Sequence, residues 1–485
     1  MLDAWRHLFE QARPAFAQWR TFCRAQQLGL AAVSGLGRKT ITGLLCSAGL
    51  QFRDWSAAYR LFTHQRVDTD RLMQVPIAAV VSALPPNAPV VSLMDDTIIR
   101  KRGRYIAGTS WRRDPLGPAF ANNFVWASRF LQISLALPEQ PGEPCSLCRA
   151  IPVDFTHAPS PRKPNKRASE SEWAQWREDS AASAVSSLGA QRLLALRKSI
   201  DAQPGGTARP LWCSADATFT NRSVLKKLPE RTVLIGRVRK DAKLFALPTP
   251  EQNNHGKGRR MAYGSPLPTP EQLRQDESIP WQQVAACAAG KQYLFDVKLI
   301  RPVRWKAAGA KHKLSLLIVR PIAYRLRRSA KLDYHAPVYL LCTDGSLSAQ
   351  QILQAYLWRW EIEVNFRDEK TLLGVGQAQV RKPEAVRSTA SFGVFTYSLL
   401  LLALARTQQL HRPLPSPLWI RPRPNRPLQR ISSSQAVSLF RSALWSDPDL
   451  PPIPNKNDFL HTSLAQLKAI LSNNPLASAV FYAQQ

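Results

Sequence analysis

The chain has 485 residues, of which 45% are hydrophobic, and this composition excludes a disordered tail protein. It carries 66 lysines and arginines against 34 acidic residues, a formal net charge of +32. So large an excess repels itself, and binding to a polyanion relieves the repulsion, so the charge predicts a nucleic-acid partner. A ribosome-associated or membrane-surface protein is the alternative.

Residues 1–85 have apolar side chains at helical spacing and predict a helical region. Two short helices joined by a turn are expected within it, with Thr40 and Asp54 as their caps. The pattern fits a helix-turn-helix whose basic side chains meet DNA phosphates, and it equally fits a plain helical bundle with a solvated basic face. The arginines concerned are Arg53, Arg60 and Arg66.

Short apolar runs after residue 85 predict the strands of an α/β core. The run 90–94 ends in Asp95-Asp96-Thr97, and the run 209–215 ends in Asp216. One or two further strands are expected over 124–137, and a helix over 169–200. From about 241 to 345 the pattern changes to strands separated by basic turns, which predicts a β-rich segment.

A long helix is expected after residue 348, because Ser348 and Gln351 have capping-box spacing. Four chemically distinct side chains fall within about a 60° arc of one face of this helix. They are Tyr356, Arg359, Glu363 and Lys370. A solvated amphipathic face is the alternative interpretation of that spacing.

The last third of the chain contains two further features. Residues 388–405 have no charged side chain, which indicates a buried core helix, with a marginal membrane span as the alternative. Residues 411–430 interleave arginine with proline, so this segment is expected to be extended and either to follow a phosphate backbone or to act as a linker.

Three carboxylates carry the predicted chemistry. Asp95 and Asp216 each follow an apolar strand, and Glu363 lies on the long helix. Two aspartates at strand ends and a glutamate from a crossing helix would form an all-oxygen site suited to Mg²⁺ or Mn²⁺. Either aspartate taken alone is more often a turn or cap residue.

The third motif also carries a family resemblance. The spacing Tyr356-x2-Arg359-x3-Glu363-x6-Lys370 resembles the Y-R-E-K signature of DDE transposases of bacterial cut-and-paste insertion sequences. The first aspartate motif of that family resembles Asp-x-Thr, which selects Asp95 over its neighbour Asp96. The second resembles the segment SADATFTNRSVLKKL, which contains Asp216. The resemblance covers most of the chain.

The resemblance implies an RNase H-like catalytic core with a β-rich insertion. The expected parts of the chain are, in order, a helical DNA-binding region (1–85), the first part of the core (86–240), the insertion (241–345), the second part of the core with the catalytic glutamate helix (346–406), and a basic Pro/Arg-rich region (407–485). It also implies binding of double-stranded DNA, at terminal inverted repeats and target sites, by a homodimer in a synaptic complex.

The resemblance further implies a metal-dependent transposase. Mg²⁺, with Mn²⁺ able to substitute, would be held by Asp95, Asp216 and Glu363, and the enzyme would cleave DNA and transfer strands. The other three residues of the signature, Tyr356, Arg359 and Lys370, would hold DNA near the scissile phosphate.

One aromatic residue of the insertion is a candidate DNA contact. Trp305 lies in a basic stretch and is expected either to stack on an unpaired base or to pack under a strand.

Seven dispersed cysteines predict a reducing compartment, and the first residues lack the apolar region of a signal peptide. The resemblance implies a cytoplasmic, nucleoid-associated protein of bacteria with no membrane contact. The Cys145–Cys148 pair is interpreted as two incidental thiols. A nuclease with the same core but without strand transfer, and a non-catalytic DNA-binding relic of a transposase, are the alternatives to an active transposase.

Overall fold

The computed structural model describes residues 1–250, 260–325, 331–409 and 430–445, apart from residues 115, 116, 119, 122, 144 and 289. The N-terminal region is helical, as predicted. Its helices are α1 (Leu2–Glu10), α2 (Trp19–Ser34), α3 (Ile41–Ser47), α4 (Ser56–Thr63) and α5 (Thr69–Ala83). A 3₁₀ turn, Arg13–Ala15, joins the first two.

Of the two expected helix caps in this region, Thr40 occupies the cap position and Asp54 lies one residue before it. Thr40 caps α3, because its hydroxyl accepts a 3.0 Å hydrogen bond from the amide of Gly43. Asp54 accepts a 2.8 Å bond from the amide of Ser56 at the start of α4, although Trp55 takes the cap position itself.

The middle of the chain forms the first part of a large mixed sheet. Its elements are β1 (Val90–Arg100), β2 (Thr109–Arg113), β3 (Phe124–Pro138), β4 (Cys148–His157), α6 (Glu170–Ala182), α7 (Val185–Asp201), β5 (Leu211–Ala215), α8 (Arg222–Leu225) and β6 (Thr232–Arg237). Strand β1 pairs antiparallel with β3 and parallel with β5, and β5 pairs parallel with β6. The expected helix over 169–200 is two helices, and β2 and β4 were not predicted.

Strand β1 corrects one prediction. It was expected to end before Asp95, but it runs on to Arg100. The extension is stabilised by β3, because the antiparallel register continues from Asp96 opposite Leu131 to Arg100 opposite Ala127. Charged residues are therefore tolerated within this strand, and Asp95 lies near its middle.

Five of the seven strands described between residues 241 and 345 continue the same sheet. They are β7 (Leu244–Phe245), β8 (Gln282–Ala288), β9 (Lys291–Trp305), β10 (Leu314–Val319) and β13 (Val338–Cys342), with α9 (Pro270–Gln275) among them. The main strand order is β2-β3-β1-β5-β6-β13-β10-β9-β7, and β4 and β8 pair with β3 and β9. A separate two-stranded sheet contains β11 (Ala323–Tyr324) and β12 (Asp333–Tyr334).

The last described helices are α10 (Ala349–Trp358), α11 (Trp360–Thr371), α12 (Pro383–Gln409) and α13 (Ser433–Trp445). The capping box of Ser348 and Gln351 begins α10, as predicted. The single long helix was wrong, because the chain leaves regular helical bonding at Arg359, which ends α10 and precedes α11. There the amide of Ile362 bonds three residues back to Arg359 instead of four.

Helices cover both faces of the sheet around β1. Val91 and Leu93 pack in a cluster with side chains of α10 and α11, whereas Val90 and Met94 pack on the other side in the main core. Helix α12 lies against β4, α1 and α5. It is long and apolar enough to span a membrane, but 83% of its apolar window is buried in the structure, which confirms a core helix. The Pro/Arg segment predicted for 411–430 lies, except for Arg430, outside the described residues.

Candidate active site

The parallel pairing of β1 and β5 brings the two predicted aspartates side by side. Met94 is paired with Ala215, so Asp95 and Asp216 each come one residue later on neighbouring parallel strands. Strand β5 ends there, whereas β1 continues to Arg100. Cα atoms on adjacent strands lie about 5 Å apart, so the two carboxylates share one location.

Asp216 is held by the turn that it begins. Its Oδ1 accepts a 2.9 Å hydrogen bond from the amide of Thr218, and its Oδ2 accepts a 3.0 Å bond from the hydroxyl of the same residue. The carboxylate is half-buried. A turn of this kind fixes the side chain in one orientation beside the strand end.

Arg359 makes an ion pair with Asp95. The distance between Arg359 Nη1 and Asp95 Oδ2 is 2.6 Å, and the two side chains are only 16% and 12% exposed. The guanidinium also lies over the ring of Tyr356, 5.6 Å from its centroid. This ion pair forms at the break between α10 and α11, where Arg359 ends the first helix and precedes the second.

Lys370 contacts the same strand two residues further on. Its Nζ donates a 2.7 Å hydrogen bond to Oγ1 of Thr97. Alternate residues of a strand face the same side, so Asp95 and Thr97 both point toward α11. The Asp-x-Thr motif and the helix signature thus meet through two pairs of side chains.

Glu363 interacts electrostatically with Asp95. It lies on α11 between Arg359 and Lys370, and its side chain is exposed. Burial raises the pKa of Asp95 to about 7; Arg359 opposes that shift, and the charges of Asp216 and Glu363 add to it. Mutual repulsion of this kind is expected where several carboxylates share a site that a cation can neutralise.

The donor set suits a hard divalent cation, because all three groups are carboxylates. Within the described part of the chain, however, no three His, Cys, Asp or Glu side chains are close enough together to hold a metal ion. Arg359 occupies one oxygen of Asp95, and Thr218 bonds both oxygens of Asp216. The carboxylates therefore fit the ion by their chemistry, and Arg359 and Thr218 hold their side chains in the structure.

Asp96 faces away from this group. Arg129 of β3 forks onto its carboxylate, with Nε to Oδ2 at 2.6 Å and Nη2 to Oδ1 at 2.7 Å. The side chains are 28% and 15% exposed. The two adjacent aspartates thus have partners on opposite faces of the sheet.

Trp305 lies apart from the carboxylates in the sheet. It ends β9, and four strands separate β9 from β1. The side chain is half-buried, is packed against the main hydrophobic cluster and stands opposite Leu244 of β7. Its surroundings agree with the packing interpretation, and its contact with DNA stays a prediction.

The sequence analysis missed a buried polar network that joins α11 to β3. Gln132, which is paired with Asp95, donates a 3.0 Å hydrogen bond to Glu369, and Asn365 donates to Ser134 at 3.1 Å. Burial raises the pKa of Glu369 to about 8, so this side chain is protonated at neutral pH. Polar residues four apart on the inner face of a helix were the available signal.

Comparison with known proteins gives the family. The family description "DDE superfamily endonuclease" matches residues 13–310, which is more than half of the chain. The matched part contains Asp95 and Asp216 and ends before Glu363. No curated protein matches the chain. Proteins of this superfamily act on DNA and generally use divalent metal ions. The chain therefore belongs to the DDE superfamily endonucleases, enzymes of the nuclease and transposase type.

Proposed function

We propose that the chain is a cut-and-paste DNA transposase in which Asp95, Asp216 and Glu363 are the catalytic carboxylates. The observation that carries this proposal is the parallel register of β1 and β5, which sets Asp95 beside Asp216 under a helix that bears Glu363. The rest of the Y-R-E-K signature supports it, because Arg359 and Lys370 reach Asp95 and Thr97 from that helix.

The order of the central strands supports an RNase H-like core. Strands β4, β3 and β1 are neighbours in an antiparallel arrangement, and β5 and β6 follow β1 in parallel. Helix α11 lies over β1. In the proposed division, residues 86–240 and 346–406 form this core, residues 241–345 extend its sheet, residues 1–85 bind DNA and residues 407–485 form a basic C-terminal region.

In the proposed reaction, Asp95, Asp216 and Glu363 would hold Mg²⁺, for which Mn²⁺ would substitute. The bound ions would activate the attacking oxygen and stabilise the leaving oxygen in phosphodiester transfer. Arg359 and Lys370 would leave their present partners and hold phosphate oxygens, the first as a fork and the second as a point charge. Tyr356, beside Arg359, would contact the same DNA segment.

The partners and location of the protein follow from this proposal. A homodimer would bind double-stranded DNA at terminal inverted repeats, form a synaptic complex and join the freed 3′ ends to target DNA in the bacterial cytoplasm. The net charge of +32 supports contacts with many phosphates. A nuclease without strand transfer and a non-catalytic relic are the competing functions.

The test is nicking and strand transfer on a plasmid that carries the DNA flanking the coding region, with Mg²⁺ or Mn²⁺. Glu363→Ala is the best variant, because this side chain is exposed and we expect its loss to leave the fold intact. We expect it to bind DNA and melt like the wild type but to cut at least about 100-fold more slowly. Glu178→Ala, at another exposed glutamate, is the control and should cut normally.

The possible outcomes separate the three functions. Joining of the cut ends to a second plasmid would support a transposase, whereas cutting without joining would identify a nuclease. DNA binding without any metal-dependent cutting would identify a relic. Full cleavage by a well-folded Glu363→Ala variant would refute the proposed site.

A further inference from the structure

The hairpin of β2 and β3 carries a cluster of aromatic side chains at its surface. Trp111 is 58% exposed and Phe124 is 57% exposed. The ring of Trp111 meets that of Trp126 across the strands, with centroids 5.6 Å apart in an edge-on arrangement. Clustered exposed aromatics are uncommon on a folded protein unless they bind a partner. We call Trp111, Phe124 and Trp126 the aromatic platform.

The aromatic platform lies on the same face of the sheet as Asp95. Asp95 is paired with Gln132, and cross-strand partners share a face. Trp126 and Phe124 are six and eight residues before Gln132 on the continuous strand β3, so they point to that face too. Trp111 is paired with Trp126 and completes the platform.

The strand geometry also gives the separation between the platform and the carboxylates. Gln132 and Trp126 are six positions apart on β3, which is about 20 Å at the usual rise of a strand. Each strand of a DNA duplex advances about 3.4 Å per nucleotide along the helix axis, so this distance corresponds to about six nucleotides of duplex between the carboxylates and the platform. The loop after α11 lies between the platform and the carboxylates, because its Gly376 is packed closely on Ile99 of β1.

The charge around the platform favours a polyanion. Residues 98–129 contain seven lysines and arginines and one acidic residue, Asp114. That residue is already paired with Arg100 at 2.6 Å. Arg113 stands opposite Phe124, and Arg102 and Arg104 are exposed in the preceding loop. A second copy of a chain with a net charge of +32 would bring like charge to this surface, whereas a nucleic-acid strand would bring phosphates.

We propose that the aromatic platform binds unpaired nucleotides of a DNA strand, about six nucleotides from the phosphate at the carboxylate site. Bases would stack on Trp111 and Phe124, and Arg113 would contact the backbone. Aromatic rings accept any base, and nearby cations hold the phosphates, so this site needs no particular sequence. Only the position of the scissile phosphate rests on the proposed function; binding to the platform does not.

The test compares two fluorescent oligonucleotides of about ten nucleotides, one of thymidine and one abasic, by anisotropy with chelator present. Both have the same phosphates, but only the first has bases. We expect the wild type to prefer the thymidine strand by at least about fivefold, and Trp111→Ala to lose that preference. Phe124→Ala should reduce it. Tyr334→Ala, at an exposed tyrosine of β12, is the matched control and should keep it.

A further variant and the design of the assay keep the result interpretable. Trp111→Tyr retains a stacking ring and should restore most of the preference, which a loss of folding would not permit. The anisotropy measurement needs neither metal nor cleavage, so a failure of the proposed catalytic site would leave the platform result unchanged. Equal affinity of the wild type for the two strands, or a preference that persists in Trp111→Ala, would overturn the proposal. The proposal would also be overturned if Trp111→Ala changed the oligomeric state and left the preference for the thymidine strand as it is.

Discussion

Lys370 on α11 donates a 2.7 Å hydrogen bond to Thr97, two residues beyond Asp95 on the same face of β1. Arg359 reaches Asp95 itself from the start of the same helix. The two cations of the signature therefore contact two successive positions on one face of the strand, and both lie beside the predicted carboxylates.

The pairing of Lys370 with Thr97 leads to a first prediction. Lys370→Ala should slow nicking by about 10- to 100-fold, the expected effect of losing one charged contact to a phosphate. The Mn²⁺ concentration that gives half-maximal nicking should stay unchanged, because Lys370 is not a metal ligand. Thr97→Val removes the partner of Lys370 but keeps the cation, so this control should retain most of the activity. A shift in the Mn²⁺ requirement of Lys370→Ala would contradict the assignment.

The adjacent aspartates give a second prediction. Asp95→Asn should abolish nicking while the protein stays folded, because the amide oxygen can still accept from Arg359. Asp96→Asn should lower the free energy of unfolding by about 1–3 kcal/mol, because Arg129 loses its charged partner. Nicking per folded molecule should persist in that variant. Denaturant unfolding and a nicking assay on both proteins check this, and the opposite pattern of activity would assign the catalytic role to Asp96.

Glu369 gives a third prediction, on stability against pH. Its ordinary pKa is 4.5, and burial raises it to about 8 in the folded protein. Between these values the unfolded chain releases the proton and the folded chain keeps it, so the stabilisation is complete below pH 4.5 and is lost as the pH rises toward 8. The slope from this group is at most about 1.4 kcal/mol per pH unit.

Glu369→Gln should remove this contribution, because a neutral amide can take the place of the protonated carboxyl beside Gln132. Unfolding by denaturant at several pH values between 5 and 8 should therefore give a flatter pH dependence than in the wild type. Glu178→Gln changes an exposed glutamate and should leave the slope as it is. An unchanged slope in Glu369→Gln would show that Glu369 is ionised in the folded protein.

Trp305 gives a fourth prediction, because packing against the core and stacking on a DNA base would give different results when it is replaced. A half-buried tryptophan that packs against the core should cost about 1–3 kcal/mol of stability when changed to alanine, and all reaction steps should fall together. A stacking role would instead spare the first nick and slow later steps at unchanged stability. Melting curves and the time course of single- and double-strand cleavage on Trp305→Ala separate them, with Trp281→Ala, another partly buried tryptophan, as the control.

The sequence by itself indicated the candidate catalytic residues and determined most local elements. Asp216 follows an apolar run, Thr40 and Ser348 have capping side chains, and the uncharged segment of α12 forms a buried helix. These features depend on neighbours within a few residues, so the local pattern is enough to predict them. The charge excess likewise depends on composition alone.

Only the tertiary structure decided how those residues meet. The length of β1 depends on pairing with β3, and the position of Asp95 beside Asp216 depends on the register between β1 and β5. The ion pair of Arg359 with Asp95 spans 264 positions of sequence. Such relationships arise from hydrogen bonds and packing between distant segments, whose partners a local pattern does not specify. For that reason the break at Arg359 and its ion pair with Asp95 appeared only in the folded chain.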